Sequence, residues 1–167
     1  MTGMLRITCG AALLTLALAA PAFADCSAVI KAFDDVQARP EGFRQTITMT
    51  PAGKAQTVME MIELSDAAYL KTGKNWRKQP ITAADRKEMM DKILATTPPT
   101  DCAIAGEETI DGVPTTVYTY KQADMTNPGS VKDVKLWVAT SDGLPRKSES
   151  AATSIVFAYD NLVSPLP

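Results

Sequence analysis

Residues 131–150 read VKDVKLWVATSDGLPRKSES, and the alternation in this stretch decides the kind of fold. Val134, Leu136 and Val138 alternate with Asp133, Lys135, Trp137 and Ala139. That is the period-2 pattern of a strand with two unlike faces. Thr140-Ser141-Asp142-Gly143 follows, and Asp-Gly supplies the positive φ of a tight hairpin turn at low cost. Leu144-Pro145 then leads into Arg146-Lys147-Ser148-Glu149, whose low apolar content predicts an exposed or edge strand.

The same strand–turn–strand grammar extends outward in both directions. Downstream, residues 154–159 read as a strand. Upstream, strands at 103–110 and 115–122 flank the turn Asp111-Gly112, and Asn127-Pro128-Gly129 makes a longer loop. Nearer the N-terminus, Phe43, Gln45, Ile47 and Met49 alternate with Arg44, Thr46, Thr48 and Thr50, and Pro51-Ala52-Gly53-Lys54 turns the chain. If Thr50 pairs with Ala55, Ile47 faces Val58 and Phe43 faces Ile62. One face of this hairpin then shows Phe43, Ile47, Met49, Val58 and Ile62. The other shows Arg44, three Thr, Met59, Met61 and Glu63. A shorter hairpin over 67–77 turns at Thr72-Gly73-Lys74 and stops at Pro80.

Two segments follow the helical period instead. Over 25–39, Cys26, Val29, Ile30, Phe33 and Val36 fall on one stripe, with Asp25 or Ser27 as the cap and Pro40 ending the helix. Over 82–95, Thr82 with Asp85 makes a capping box. Met89, Met90, Ile93 and Leu94 form the apolar face opposite Asp85, Lys87, Glu88, Asp91 and Lys92. A helix, hairpins, a second helix and a run of antiparallel strands give an α+β domain built on a large antiparallel sheet. Two helices cannot cover both faces of eight or nine strands. They can close one side of a strongly bent sheet and leave a cavity.

Composition narrows the function. Charged residues make up 22% and the formal net charge is −2. The basic residues are scattered, whereas a nucleic-acid surface needs them clustered. There is no His, which removes Ser-His-Asp and Cys-His catalysis and most zinc sites. Catalysis, metal binding and cofactors are not expected. Residues 1–24 have the form of a cleaved secretory signal: an apolar run from Cys9 to Ala20, then Ala22-Phe23-Ala24 as an A-x-A site. Phe23, Ala24 and Asp25 make a poor lipoprotein signal before Cys26. Cleavage leaves 16 basic against 19 acidic groups, a formal charge of −3, on a single domain over 25–167. Export leaves two thiols, Cys26 and Cys102, which an oxidising compartment is expected to join. The closed loop of 77 residues, counting both ends, implies about 4 kcal/mol of chain-entropy stabilisation.

The motifs also carry a resemblance. Tyr69-Leu70-Lys71 leading to Trp76, Ile110-Asp111-Gly112-Val113-Pro114-Thr115, Leu136-Trp137-Val138 with Asp142-Gly143-Leu144-Pro145, and the closing Phe157-Ala158-Tyr159-Asp160-Asn161-Leu162 stand in order. In that order they resemble the LolA/LolB-like superfamily of envelope carriers, including its LppX/LprG-type lipid-binding branch. The resemblance implies a strongly curved antiparallel half-barrel of about 8–10 strands, with the N-terminal and mid-chain helices covering the concave side. It also implies a periplasmic, monomeric protein that holds a lipid-like or acyl ligand in an apolar cavity without catalysis. The alternative is an envelope protein-interaction module on the same scaffold with a filled core. The candidate cavity residues are Phe43, Ile47, Met49, Val58, Ile62, Trp76, Met89, Met90 and Ile93, with Met suited to irregular apolar space. Ordinary core is the competing reading for each of them.

Overall fold

The structure is a computed structural model that describes residues 25–50, 56–124, 127 and 129–167. The expected signal segment, the turn at Pro51-Ala52-Gly53-Lys54 and Pro128 of the longer loop lie outside the described residues. The elements, in chain order, are α1 (Ser27–Gln37), β1 (Phe43–Met49), β2 (Thr57–Glu63), β3 (Ala68–Thr72), β4 (Asn75–Gln79), α2 (Ala83–Thr96), β5 (Thr100–Ile110), β6 (Val113–Ala123), β7 (Val131–Ala139), β8 (Pro145–Ser150) and β9 (Thr153–Ala158). All nine strands form one antiparallel sheet in the order β4-β3-β2-β1-β9-β8-β7-β6-β5. Two meanders, β1–β4 and β5–β9, are joined where β1 pairs with β9. The sheet is open and curved, and does not close into a barrel. This is the α+β half-barrel that the alternation and the resemblance imply.

Both helices lie on one face of the sheet. Val29 and Ala32 of α1 pack on Cys102, Tyr120, Val134, Leu136 and Val138. Val36 continues the stripe onto Phe43, Leu144 and Phe157. Burying each such Val, Leu or Phe contributes about 1.5–3 kcal/mol, so α1 is fixed by its apolar face. A Cys26–Cys102 disulfide, with Cα atoms 5.2 Å apart, ties the start of α1 to β5. Thr82 caps α2 as expected: its Oγ1 accepts from Asp85 N at 3.2 Å, and its own N donates to Asp85 Oδ2 at 2.8 Å. The outer face carries a smaller cluster of Ile62, Ala67 and Tyr69, joined by Leu64, Trp76 and Leu166 of the C-terminal tail.

Two expectations are corrected. First, β8 is not an edge. It pairs with β7 and β9 and sits inside the sheet; the edges are β4 and β5. Its poverty in apolar residues reflects the partial exposure of residues 146–150, after a buried Pro145, not a missing neighbour. Second, the first hairpin is displaced by one residue from the expected register. Phe43 pairs with Glu63, Ile47 with Met59 and Met49 with Thr57. A one-residue slip sends each side chain of the return strand to the opposite face. Met59, Met61 and Glu63 therefore share the helix side with Phe43, Ile47 and Met49, while Val58 and Ile62 point outward. Gly42 explains part of this: at φ +84°, a Cβ there would lie 1.8 Å from the carbonyl oxygen of Glu63. Only glycine lets the two backbones meet at that point and start the ladder with Phe43 opposite Glu63.

Candidate binding surface

Cross-strand partners share a face, so the ladder gives the helix-side surface row by row. One row runs Phe157, Gln45, Met61, Leu70, Arg77. Next to it, Phe43, Glu63, Ala68 and Gln79 form a second, and Ile155, Ile47, Met59, Thr72 and Asn75 a third. Phe43 and Phe157 are closed off beneath α1. Ile47, Met49, Met59, Met61, Leu70 and Ile155 remain only partly buried, although they lie on the side that carries the helices.

The α2 half of this surface is held by charge. Arg86 is the one buried residue of α2. Its Nε lies 2.5 Å from Glu63 Oε2, an ion pair whose two side chains are 8% and 7% exposed. Its Nη1 donates to Ile81 O at 3.0 Å and Nη2 to Leu64 O at 2.8 Å. Burial pushes the Glu63 carboxyl above its ordinary range, and Arg86 opposes that shift without cancelling it. Met89 meanwhile is 50% exposed. Between α2 and the sheet lies a pocket of about 220 Å³, lined by apolar Met61, Ile81, Met89, Met90 and Ile93 with Glu63 and Arg86 at its polar end. A smaller hollow of about 60 Å³, lined in part by Val134, Ser148, Thr153 and Ile155, lies farther along the same face. A larger hollow of about 450 Å³ is lined chiefly by Thr119, Lys121, Asp133, Lys135 and Glu149. Those residues belong to rows that face outward, where Lys121 pairs with Asp101 at 3.0 Å and Glu149 with Lys147 at 2.6 Å, and none is a predicted cavity residue.

The predicted cavity residues therefore divide. Met89, Met90 and Ile93 come together around the pocket under α2, and Ile47 and Met49 lie on the open surface beside it. Phe43 is packed against Val36 and Phe157. Val58 is 51% exposed on the outer face. Ile62 and Trp76 belong to the outer cluster beneath the C-terminal tail, where Lys71 Nζ stacks 5.6 Å from the Trp76 ring. The predicted set lacks Met59, Met61, Leu70 and Ile155 of the strands and the Glu63–Arg86 pair. Arg86 had a legible signal, because it falls on the helical stripe with Met89, Met90 and Ile93 at i+3, i+4 and i+7.

No protein-family model and no curated protein matches the chain. Solved structures do. Mycobacterium tuberculosis lipoprotein LppX is 13% identical over 84% of this chain and 96% of its own, with a TM-score of 0.45. LprF from Mycobacterium bovis is 11% identical over 82% and 95%, with a TM-score of 0.49. The LolA superfamily protein NE2245 from Nitrosomonas europaea is 12% identical over 85% and 94%, with a TM-score of 0.32.

Proposed function

We propose that this chain is a periplasmic binding protein that holds the acyl part of a lipid-like ligand against the helix-side surface of β1–β4 and β9, and carries no catalysis. One observation carries the reading: six apolar side chains, Ile47, Met49, Met59, Met61, Leu70 and Ile155, stay only partly buried on the face that both helices occupy. A filled scaffold would bury them, since leaving such side chains wet forgoes roughly 25 cal/mol per Å². Met is over-represented among them, which suits a ligand of variable shape. The pocket beneath α2 is about 220 Å³, smaller than the roughly 300–1,000 Å³ of drug-sized ligand sites. An acyl chain would therefore start under α2 and continue along the open surface toward Ile155. Residues 1–24 would export the protein, and 25–167 would act as one domain and as a monomer.

The test is binding of the apolar fluorophore N-phenyl-1-naphthylamine, combined with native mass spectrometry of protein purified from a bacterial envelope. Saturable fluorescence enhancement, or retained mass in the lipid range, is expected. Neither signal with folded protein would end the reading.

A further inference from the structure

We propose, resting on that reading, that Arg77 makes this surface selective for amphiphiles with an anionic head, a carboxylate or a phosphate, on the acyl chain. The hairpin of β3 and β4, residues 69–79, carries Lys71, Lys74, Arg77 and Lys78 and no acidic residue. Two of these cations are engaged on the outer face: Lys71 with Glu60 at 2.6 Å and Lys78 with Asp66 at 3.6 Å. Among the described residues, Lys74 and Arg77 have no ion-pair partner.

Arg77 differs from the others in the face it occupies. It stands in the helix-side row with Leu70 and Met61, and Met61 lines the pocket under α2. Two residues further along β4, Gln79 lines the same pocket; two residues of strand are roughly 7 Å. On the helix side of β1–β4 and β9, Glu63 and Arg77 are the only ionisable side chains. Glu63 is already neutralised within the fold by Arg86. Among these strand side chains, which are otherwise apolar or neutral polar, one uncompensated charge is left, and it is a cation at the rim. A guanidinium there can engage carboxylate or phosphate oxygens with two donors. The chain as a whole has a formal charge of −2, so any preference for anions must come from this local group and not from the global field.

The probe set holds the tail constant and changes the head: dodecanoate, dodecyl phosphate and dodecanol, each displacing N-phenyl-1-naphthylamine below micelle-forming concentrations. On the wild type the two anions should displace the fluorophore at concentrations roughly two- to five-fold lower than dodecanol, the range of one exposed charge pair. Added salt should narrow the gap. Arg77→Gln should erase it, read as the ratio of anion to dodecanol displacement within each variant so that any change in fluorophore affinity cancels, and Arg77→Lys should keep part of it. Arg77 is exposed, so both variants should melt with the wild type. A preference confined to one anion supports the proposal and identifies the head. A wild type that binds the fluorophore but treats the three amphiphiles alike overturns the head-group assignment and leaves the carrier reading standing. A preference that survives Arg77→Gln overturns the role of Arg77. Failure of the wild type to bind the fluorophore removes the reading on which the proposal rests.

Discussion

The two helices lie on the same face of one sheet, yet they are held there by different physics. α1 buries Val29, Ala32 and Val36 in continuous apolar contact, and a disulfide fastens its first turn to β5. α2 is three residues longer, and its single buried side chain is Arg86. Its Met89 is half-exposed, and a pocket remains beneath it. A buried ion pair returns little net stability, because the cost of desolvating two charges offsets most of their attraction. What such a pair does fix is position. The α1 half is therefore core, and the α2 half is a surface held in place chiefly by the polar contacts of Arg86. Apolar volume can be added there without unpacking anything.

The comparison can be broken most forcefully on the α1 side. Replacing Cys26 and Cys102 together by Ser should cost about 4 kcal/mol in urea unfolding, since the bridge closes most of the described chain N-terminal to β6. Leu136 is fully buried beneath α1, and Leu136→Ala should cost about 3–4 kcal/mol. Met89→Ala on α2 should cost well under about 1 kcal/mol, because half of that side chain already faces water. Equal losses at Leu136 and Met89 would mean that the two halves are packed alike.

Arg86→Met sharpens the contrast by removing the ion pair to Glu63 and the two hydrogen bonds to Ile81 O and Leu64 O while keeping an unbranched apolar stem. It strands Glu63 in a buried site and should destabilise by about 3 kcal/mol near neutral pH. The loss should depend on pH, with a definite sign. Burial raises the Glu63 pKa above the ordinary value of 4.5, and Arg86 is the group that pulls it back. A carboxyl whose pKa is raised in the folded state stabilises the fold while protonated and loses that contribution as pH rises above its unfolded value. Without Arg86 the folded pKa climbs further, so the variant should lose stability as pH rises from about 4.5 toward neutrality more steeply than the wild type. Urea midpoints at several pH values measure this. A cost independent of pH would show that Glu63 is not the group left unpaired.

Much of this architecture was legible in the sequence because period and turn chemistry are local. The stripe from Cys26 to Val36, the capping box at Thr82 and the Asp-Gly turns each specify an element within a few residues. What failed was non-local. In TVMEMIE, residues 57–63, both parities are apolar, Val58 and Ile62 on one and Met59 and Met61 on the other. Alternation alone cannot choose a face there. The choice is made by Gly42 against the Glu63 backbone and by Arg86, 23 residues further on, against the Glu63 side chain. β8 misled for a related reason. Its polar content predicts an exposed or an edge strand alike; the strand lies inside the sheet, and residues 146–150 are partly exposed. At the site, the apolar face of α2 was visible in its spacing, but which strand residues stand opposite it followed the register.

The smallest expected effect is also the most direct test of that register. Val58 lies on the outer face, 51% exposed and opposite the half-buried Thr48. Val58→Asp places a carboxylate where water can solvate it and should change stability by no more than about 0.5 kcal/mol. It should leave binding of N-phenyl-1-naphthylamine intact. The neighbouring Met59 lies on the helix side opposite Ile47. Met59→Asp should leave a folded protein as well, because the site is half-exposed, but it puts a charge on the surface that the fluorophore must cover. Covering an unpaired carboxylate costs several kcal/mol, enough to abolish measurable binding. The pair of variants differs by one position in sequence and by one face in space. If Val58→Asp unfolds the protein or removes binding while Met59→Asp is tolerated, then Val58 and Ile62 stand beside Phe43 and Ile47 after all. The apolar surface beneath α2 would then have to be redrawn one residue along β2.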